Sequence, residues 1–195
     1  MKKLDINKLR PEVEIFGKKY RLPTFMSKIV ESPDQGITIR EIVDEAYPGI
    51  KKPESDMLFI HLLKDSRFKD GKPVIGDTNE VEVQGVKYTV SLDDIIKVQK
   101  SEVMYSGIKF VFKYPSALEY YTSGCGNQGQ VARKFFDYAE FEGVKYNLEE
   151  IGGDIPMAVA ENSQELMGDI RLNLKDGNYV TGYEKISELL LTKKI

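Results

Sequence analysis

One short pattern limits what this chain can fold into more than any other feature. A Gly, one intervening residue, a Lys and an aromatic occur in that order four times, at Gly17-Lys18-Lys19-Tyr20, Gly85-Val86-Lys87-Tyr88, Gly107-Ile108-Lys109-Phe110 and Gly143-Val144-Lys145-Tyr146. Each Gly stands between a short β-prone run and a run that alternates Lys with apolar side chains. A tight hairpin turn needs positive φ, which Gly adopts without steric cost, so the pattern predicts antiparallel hairpins. The copies are unequally spaced, which excludes a solenoid.

The first hairpin runs from Val13-Glu14-Ile15-Phe16 through Gly17 into Lys19-Tyr20-Arg21-Leu22 and stops at Pro23. In the second, Val81-Glu82-Val83 returns as Val86 to Leu92, with Val86, Tyr88 and Val90 on one face. Val103-Met104-Tyr105 forms the third with Ile108 to Tyr114, burying Ile108, Phe110 and Phe112. The fourth, Glu142 to Tyr146, reads either as a hairpin or as a turn before a helix.

Helices are expected between and after these hairpins. Thr38-Ile39-Arg40-Glu41 has the form of a capping box ahead of a helix ending at Tyr47, before Pro48-Gly49. Ser55 is placed to cap a second helix, Asp56 to Lys64, with Leu58, Phe59, Leu62 and Leu63 as its apolar stripe. Helical spacing continues from Gln130 to Phe141, from Ile155 to Leu174 and from Gly182 to Lys193. The expected class is α+β: antiparallel β-hairpins with inserted helices, followed by a mainly helical C-terminal part. Composition divides the chain into a β-rich region at 1–122, a Gly-rich connector at 123–129 and a helical region at 130–195.

Composition narrows the chemistry. The 195 residues include one His, one Cys and no Trp, so an intramolecular disulfide and a Cys/His zinc centre are excluded by counting. Basic and acidic residues number 28 and 31, for a net charge of −3, without the basic excess that phosphate binding demands. No nucleic-acid partner, membrane partner or cofactor is therefore expected. No apolar run reaches membrane-spanning length, and Met1 to Asn7 lacks the apolar region of a secretory signal, so synthesis and use in a cytosol are expected.

The chemistry-bearing residues have plain structural explanations. His61 sits in the second expected helix with Asp65 at i+4, and no nucleophile stands beside it. Cys125 lies in Ser123-Gly124-Cys125-Gly126-Asn127-Gln128-Gly129, which matches neither a P-loop nor a dinucleotide fingerprint. The doublets Asp93-Asp94 and Glu149-Glu150 fall at expected helix starts, where negative charge favours the dipole. Lys19, Lys87, Lys109 and Lys145 are read as solvent-side strand lysines rather than as a phosphate-binding stripe.

The order of several segments resembles the baseplate hub and hub-assembly proteins of T-even-like contractile-tailed phages. The segments are Tyr20-Arg21-Leu22-Pro23-Thr24-Phe25, the run Ser55 to Ser66, Val86 to Ile95 and Ile108 to Ser116 with its Tyr114-Pro115 ending. The chain departs from that family after Pro23, where Lys28 follows without the paired Glu, and it lacks the Cys pairs of some relatives. The resemblance covers the first 115 residues and weakens beyond them.

It implies a non-enzymatic structural component of a phage tail baseplate, hub or wedge, assembled in the host cytoplasm and joined to other tail proteins in a hetero-oligomeric assembly. Two alternatives accompany it: a tail assembly chaperone absent from the mature virion, and a small-ligand binder or enzyme using the 123–129 loop with His61. The expected partner-contact residues are the aromatics Tyr20, Phe25, Tyr105, Tyr120 and Tyr121.

Overall fold

The computed structural model describes residues 9–23, 35–69, 71–100, 102–162 and 168–191. Four two-residue turns carry the recurrent motif, and in each both central residues have positive φ. The pairs are Phe16 (49°) with Gly17 (78°), Gln84 (51°) with Gly85 (82°), Ser106 (50°) with Gly107 (79°) and Glu142 (50°) with Gly143 (79°). This is the type I′ geometry, whose backbone twist matches that of antiparallel strands. The fourth motif is thus a hairpin rather than a bare turn.

The hairpins are β1 (Glu12–Ile15) with β2 (Lys18–Arg21), β5 (Thr78–Val83) with β6 (Val86–Ser91), β8 (Glu102–Tyr105) with β9 (Ile108–Phe112), and β10 (Phe136–Phe141) with β11 (Val144–Tyr146). A short pair, β3 (Phe68–Lys69) and β4 (Lys72–Pro73), adds a fifth. The last two motif hairpins fuse through β9 and β10 into one sheet of order β11-β10-β9-β8. A second sheet places β12 (Asp169–Asn173) between β7 (Ile95–Val98) and β13 (Tyr179–Thr181). Every pairing in these sheets is antiparallel.

Among the described residues six α-helices accompany the strands: α1 (Gln35–Ala46), α2 (Lys52–Ser66), α3 (Ala117–Tyr121), α4 (Gln128–Phe135), α5 (Met157–Glu161) and α6 (Tyr183–Leu191). Helix α1 ends beside Pro48-Gly49 as expected, but it begins at Gln35, so Thr38 lies inside it instead of capping it. Helix α2 likewise begins earlier than Ser55. Pro53 occupies its first turn, where a missing N–H is no loss, and Ser55 is already helical.

The α+β class holds, but the C-terminal part is not mainly helical. The expected helix at Gln130–Phe141 gives way to strand at Phe136, because that segment pairs along β9 and must enter the positive-φ turn at Glu142-Gly143. Within the expected helix at Ile155–Leu174 the described residues form helix α5 and a strand, Asp169–Asn173, which is the central strand of a sheet. Gly168 marks that change, with φ +81° and a site where a Cβ would lie 2.7 Å from the Tyr114 ring. The strand that follows buries Ile170 and Leu172 on alternate positions, the period of a sheet.

Apolar side chains gather into two cores. The larger draws on both chain halves, with Leu58 and Ile60 from α2, Val81 and Val90 from the β5–β6 hairpin, Ile170 and Leu172 from β12 and Ile186 from α6. The smaller lies between 103 and 160, where Phe110, Phe112, Phe136 and Ala139 pack with Val131 and Phe135 of α4 and Val159 of α5.

Candidate interaction surface

The sheet β11-β10-β9-β8 carries an apolar row of which Ile108 is partly buried against the smaller core and the other three side chains are exposed. Tyr105 pairs with Ile108, and Phe141 with Val144, each pair closing a hairpin turn. Since Glu140 pairs with Lys109, Phe141 falls level with Ile108. Side chains alternate across a sheet, so Tyr105, Ile108, Phe141 and Val144 form one row across four strands on the face that buries Phe110 and Ala139. Phe110 and Ala139 are covered, whereas Tyr105 is 41%, Phe141 43% and Val144 52% exposed at the hairpin tips. Contiguous exposed apolar side chains of this kind mark contact sites more often than scattered ones do.

The opposite face is polar at the same level. There Met104, Lys109, Glu140 and Lys145 stand in line, Lys109 lies 3.1 Å from Glu102 and 4.0 Å from Glu140, and Lys145 sits 4.0 Å from the centre of the Tyr138 ring. Lys19 and Lys87 belong to other hairpins. The four motif lysines therefore do not form a single stripe.

A buried polar network joins α1, α2, α3 and β12. Helix α2 is buried around its N-terminal turns, charged residues included. Asp56 receives hydrogen bonds from Lys52 Nζ at 2.9 Å and the Tyr121 hydroxyl at 2.6 Å, and its Oδ1 lies 2.8 Å from Arg40 Nη1. Lys52 Nζ donates a second bond, 2.8 Å, to Asp169, and Arg40 donates to the Ser55 hydroxyl, also at 2.8 Å. The Arg40 guanidinium lies over the Tyr121 ring, 3.9 Å from its centre. Burial alone pushes the Lys52 ammonium down, but Asp56, Tyr121 and Asp169 outweigh it and hold the group above its ordinary value. Burial, then the Asp56 carboxylate, push the Tyr121 hydroxyl up.

The sequence signalled little of this network. Only the i,i+4 spacing of Lys52 and Asp56 was visible, because Arg40 and Asp169 come from distant parts of the chain.

The five expected contact aromatics separate in space. Tyr105 lies in the exposed row. Tyr20 packs edge-on against Tyr47 with ring centres 5.1 Å apart, partly buried against the larger core. Tyr120 and Tyr121 are neighbours at 5.3 Å but face different surroundings: Tyr120 stacks on Phe135 of the smaller core, and Tyr121 belongs to the ionic network. Phe25 lies outside the described residues. Sequence reading missed Phe141 and Val144, whose signal was the alternation around the fourth motif.

The remaining candidates keep local roles. Burial, then Lys64, push the His61 imidazole below its ordinary value, and no hydrogen bond or ion pair joins it to Cys125 among the described residues. Cys125 packs against the smaller core while its N–H meets the Ser123 hydroxyl. Asn127 caps α4 through the Gln130 N–H at 3.0 Å. The acidic doublets satisfy backbone donors: Asp94 accepts from the Ser91 N–H and Glu150 from the Asn147 N–H, both at 2.7 Å. Beside Gln128, a cleft of about 300 Å³ is lined by Lys52, Tyr120 and Asp169. Among the described residues no cluster of three or more His, Cys, Asp or Glu could hold a metal ion, and no helix is long and apolar enough to cross a membrane.

Fold and surface define an α+β protein of antiparallel hairpins that presents an apolar row at the tips of its largest sheet. Over 93 residues the chain is 28% identical to the baseplate hub assembly protein gp28 of Enterobacteria phage T4. The match takes in 47% of this chain and 45% of that protein, so the chain spans less than half the length of its relative. No protein-family model matches the chain, and no solved structure matches it. The resemblance to T-even-like hub proteins is supported to that extent.

Proposed function

We propose that this protein is a structural component of a contractile phage tail, placed in the baseplate hub or wedge and working through contacts with other tail proteins rather than through catalysis. The observation that carries this reading is the similarity to the T4 baseplate hub assembly protein. The Tyr105–Ile108–Phe141–Val144 row supplies a surface suited to such contacts, since aromatic anchors at a desolvated centre dominate interface energetics. The local structural roles of His61, Cys125 and the acidic doublets support a non-enzymatic part.

Affinity capture of the tagged protein from infected cells, read by mass spectrometry, tests the reading. Baseplate proteins should co-purify with the native chain and be lost with a Phe141→Ser, Val144→Asp variant that remains folded. Capture without any tail protein refutes the proposal. Mass spectrometry of purified virions separates a resident component from an assembly chaperone: the proposal requires the protein in the finished particle.

A further inference from the structure

Among the described residues β8 is the last strand of its sheet, with no strand paired to its outer side, and its chemistry is self-complementary. In a two-residue hairpin the residues flanking the turn exchange both of their backbone hydrogen bonds, and the pattern alternates from there. The register Tyr105 with Ile108 and Val103 with Phe110 thus turns the N–H and C=O of Tyr105 and Val103 towards β9. Those of Met104 and Glu102 point away from the sheet. The far side of the sheet confirms this phase, because Lys113 N–H, an odd-numbered group continuing β9, bonds the Phe135 carbonyl at 2.7 Å.

Edge strands of soluble proteins are normally blunted by Pro, a central Lys, a bulge or a covering element. Strand β8, Glu102-Val103-Met104-Tyr105, has no Pro, Lys or register shift; helix α5 approaches it and Val103 packs against the smaller core, while Met104 on the other face is 61% exposed. The opposite edge, β11, is three residues long with Lys145 at its centre.

We propose that β8 pairs antiparallel with β8 of a second copy of this chain, on a two-fold axis through Val103, fusing two four-stranded sheets into one of eight. Several registers are conceivable, and the outward groups select this one. With Val103 opposite itself, Glu102 of each copy meets Met104 of the other, and all four outward N–H and C=O pairs are satisfied. Centring on Glu102 would oppose two carboxylates, which is destabilising. Centring on Met104 would oppose Glu102 to the turn residue Ser106.

The chosen register also fits the side chains. On the apolar face two β-branched Val103 side chains meet across a non-hydrogen-bonded pair, where strands approach most closely. On the polar face Glu102 of the second copy joins a row that continues Met104, Lys109, Glu140, Lys145, adding a carboxylate on the side of Lys109 that Met104 leaves uncharged. The apolar row at Tyr105 stays clear of the axis, so the dimer and the hetero-contact surface are compatible. The inference does not depend on the phage reading.

Sedimentation equilibrium of the purified full-length chain over micromolar concentrations tests it. The expected mass is twice 22.2 kDa. Met104→Pro removes an outward N–H while sparing every bond to β9, and should weaken dimerisation at least tenfold without changing the circular dichroism spectrum. In a Cys125→Ser background, Val103→Cys should form a disulfide-linked dimer, because Cα atoms about 4.5 Å apart across such a pair lie within disulfide reach. Glu102→Cys, displaced from the axis, should not. A monomeric wild-type chain refutes the proposal, including one that instead binds an added extended peptide. A dimer that survives Met104→Pro also refutes it, as does cross-linking through Glu102→Cys in preference to Val103→Cys.

Discussion

Replacing Asp56 should destabilise this protein more than removing any exposed charge, and the reason is uncompensated burial rather than lost packing. Asp56 is fully buried and accepts from Lys52 and Tyr121 while facing Arg40 at 2.8 Å. In Asp56→Ala, Lys52 keeps Asp169, but among the described residues Arg40 is left with the Ser55 hydroxyl and the faces of Phe59, Tyr121 and Tyr183 and with no carboxylate, and the Tyr121 hydroxyl loses its acceptor. Breaking a buried pair from one side costs about 3–5 kcal/mol. For a chain of this length each kcal/mol shifts the thermal midpoint by about 2–4 °C, so a fall on the order of 10 °C is expected in calorimetry, with a matching drop in urea midpoint.

Asp56→Asn separates the causes. It keeps the volume and one acceptor oxygen while deleting the charge, so it should lose nearly as much as Asp56→Ala. Asp77→Ala, which removes a carboxylate 96% exposed and 2.7 Å from Lys64, should leave the midpoint unchanged within error. An Asp56→Asn midpoint near that of the wild type would refute the reasoning.

Two further outcomes follow from other positions. The folded-state pKa of His61 is lowered, by burial first and Lys64 second, so the unfolded chain binds its proton more readily. Its contribution to stability is complete above the ordinary histidine pKa of about 6.5 and is lost as pH falls below that value; His61→Gln should flatten the stability curve between about pH 7 and pH 5, and an unchanged slope counts against the assignment. Gly107 has φ +79° with nothing within 4 Å of the place a Cβ would take, so Gly107→Ala isolates backbone strain. A loss of about 1–2 kcal/mol by urea denaturation is expected, and none would contradict the type I′ turn.

The hairpins were legible because the information they need is local: a turn requiring positive φ at Gly and an alternation on either side. The same local logic failed at Gln130–Phe141. Val131 and Phe135 have helical spacing and do lie in α4, but Phe136 continues the pattern by coincidence, and pairing with β9 decides its conformation. At Ile155–Leu174 the apolar residues fit a helix, yet Gly168 has positive φ and Ile170 and Leu172 beyond it enter the centre of a sheet whose other strands lie at 95–98 and 179–181. The contact row was half visible. Tyr105 could be named from its turn, whereas Phe141 and Val144 join it only through the β9–β10 register, a long-range fact.

Helix α3 shows how the two cores are made to act together. It has five residues and opens with a capping box, Ser116 accepting from the Glu119 N–H at 3.2 Å and Glu119 accepting from the Ser116 N–H at 2.7 Å. The helix ends in Tyr120 and Tyr121, whose rings meet edge-on with centres 5.3 Å apart. Tyr120 stacks on Phe135 in the core beneath the β8–β11 sheet, and Tyr121 anchors to Asp56 and Arg40 in the network that joins α1, α2 and β12. These two adjacent side chains form one link between the contact-bearing sheet and the larger core, beside the Lys51 Nζ bond to the Tyr114 carbonyl at 2.7 Å and the Ala117 N–H bond to the Ile50 carbonyl at 2.8 Å. A sheet that meets partners through its tips and edge needs such a link, because a loosely hinged surface would lose conformational freedom on every contact and bind more weakly for the same buried area. The buried charges acquire a rationale in this setting. Ionic groups in an interior add little net stability, but their directional partners admit few alternative packings of α3 against α2.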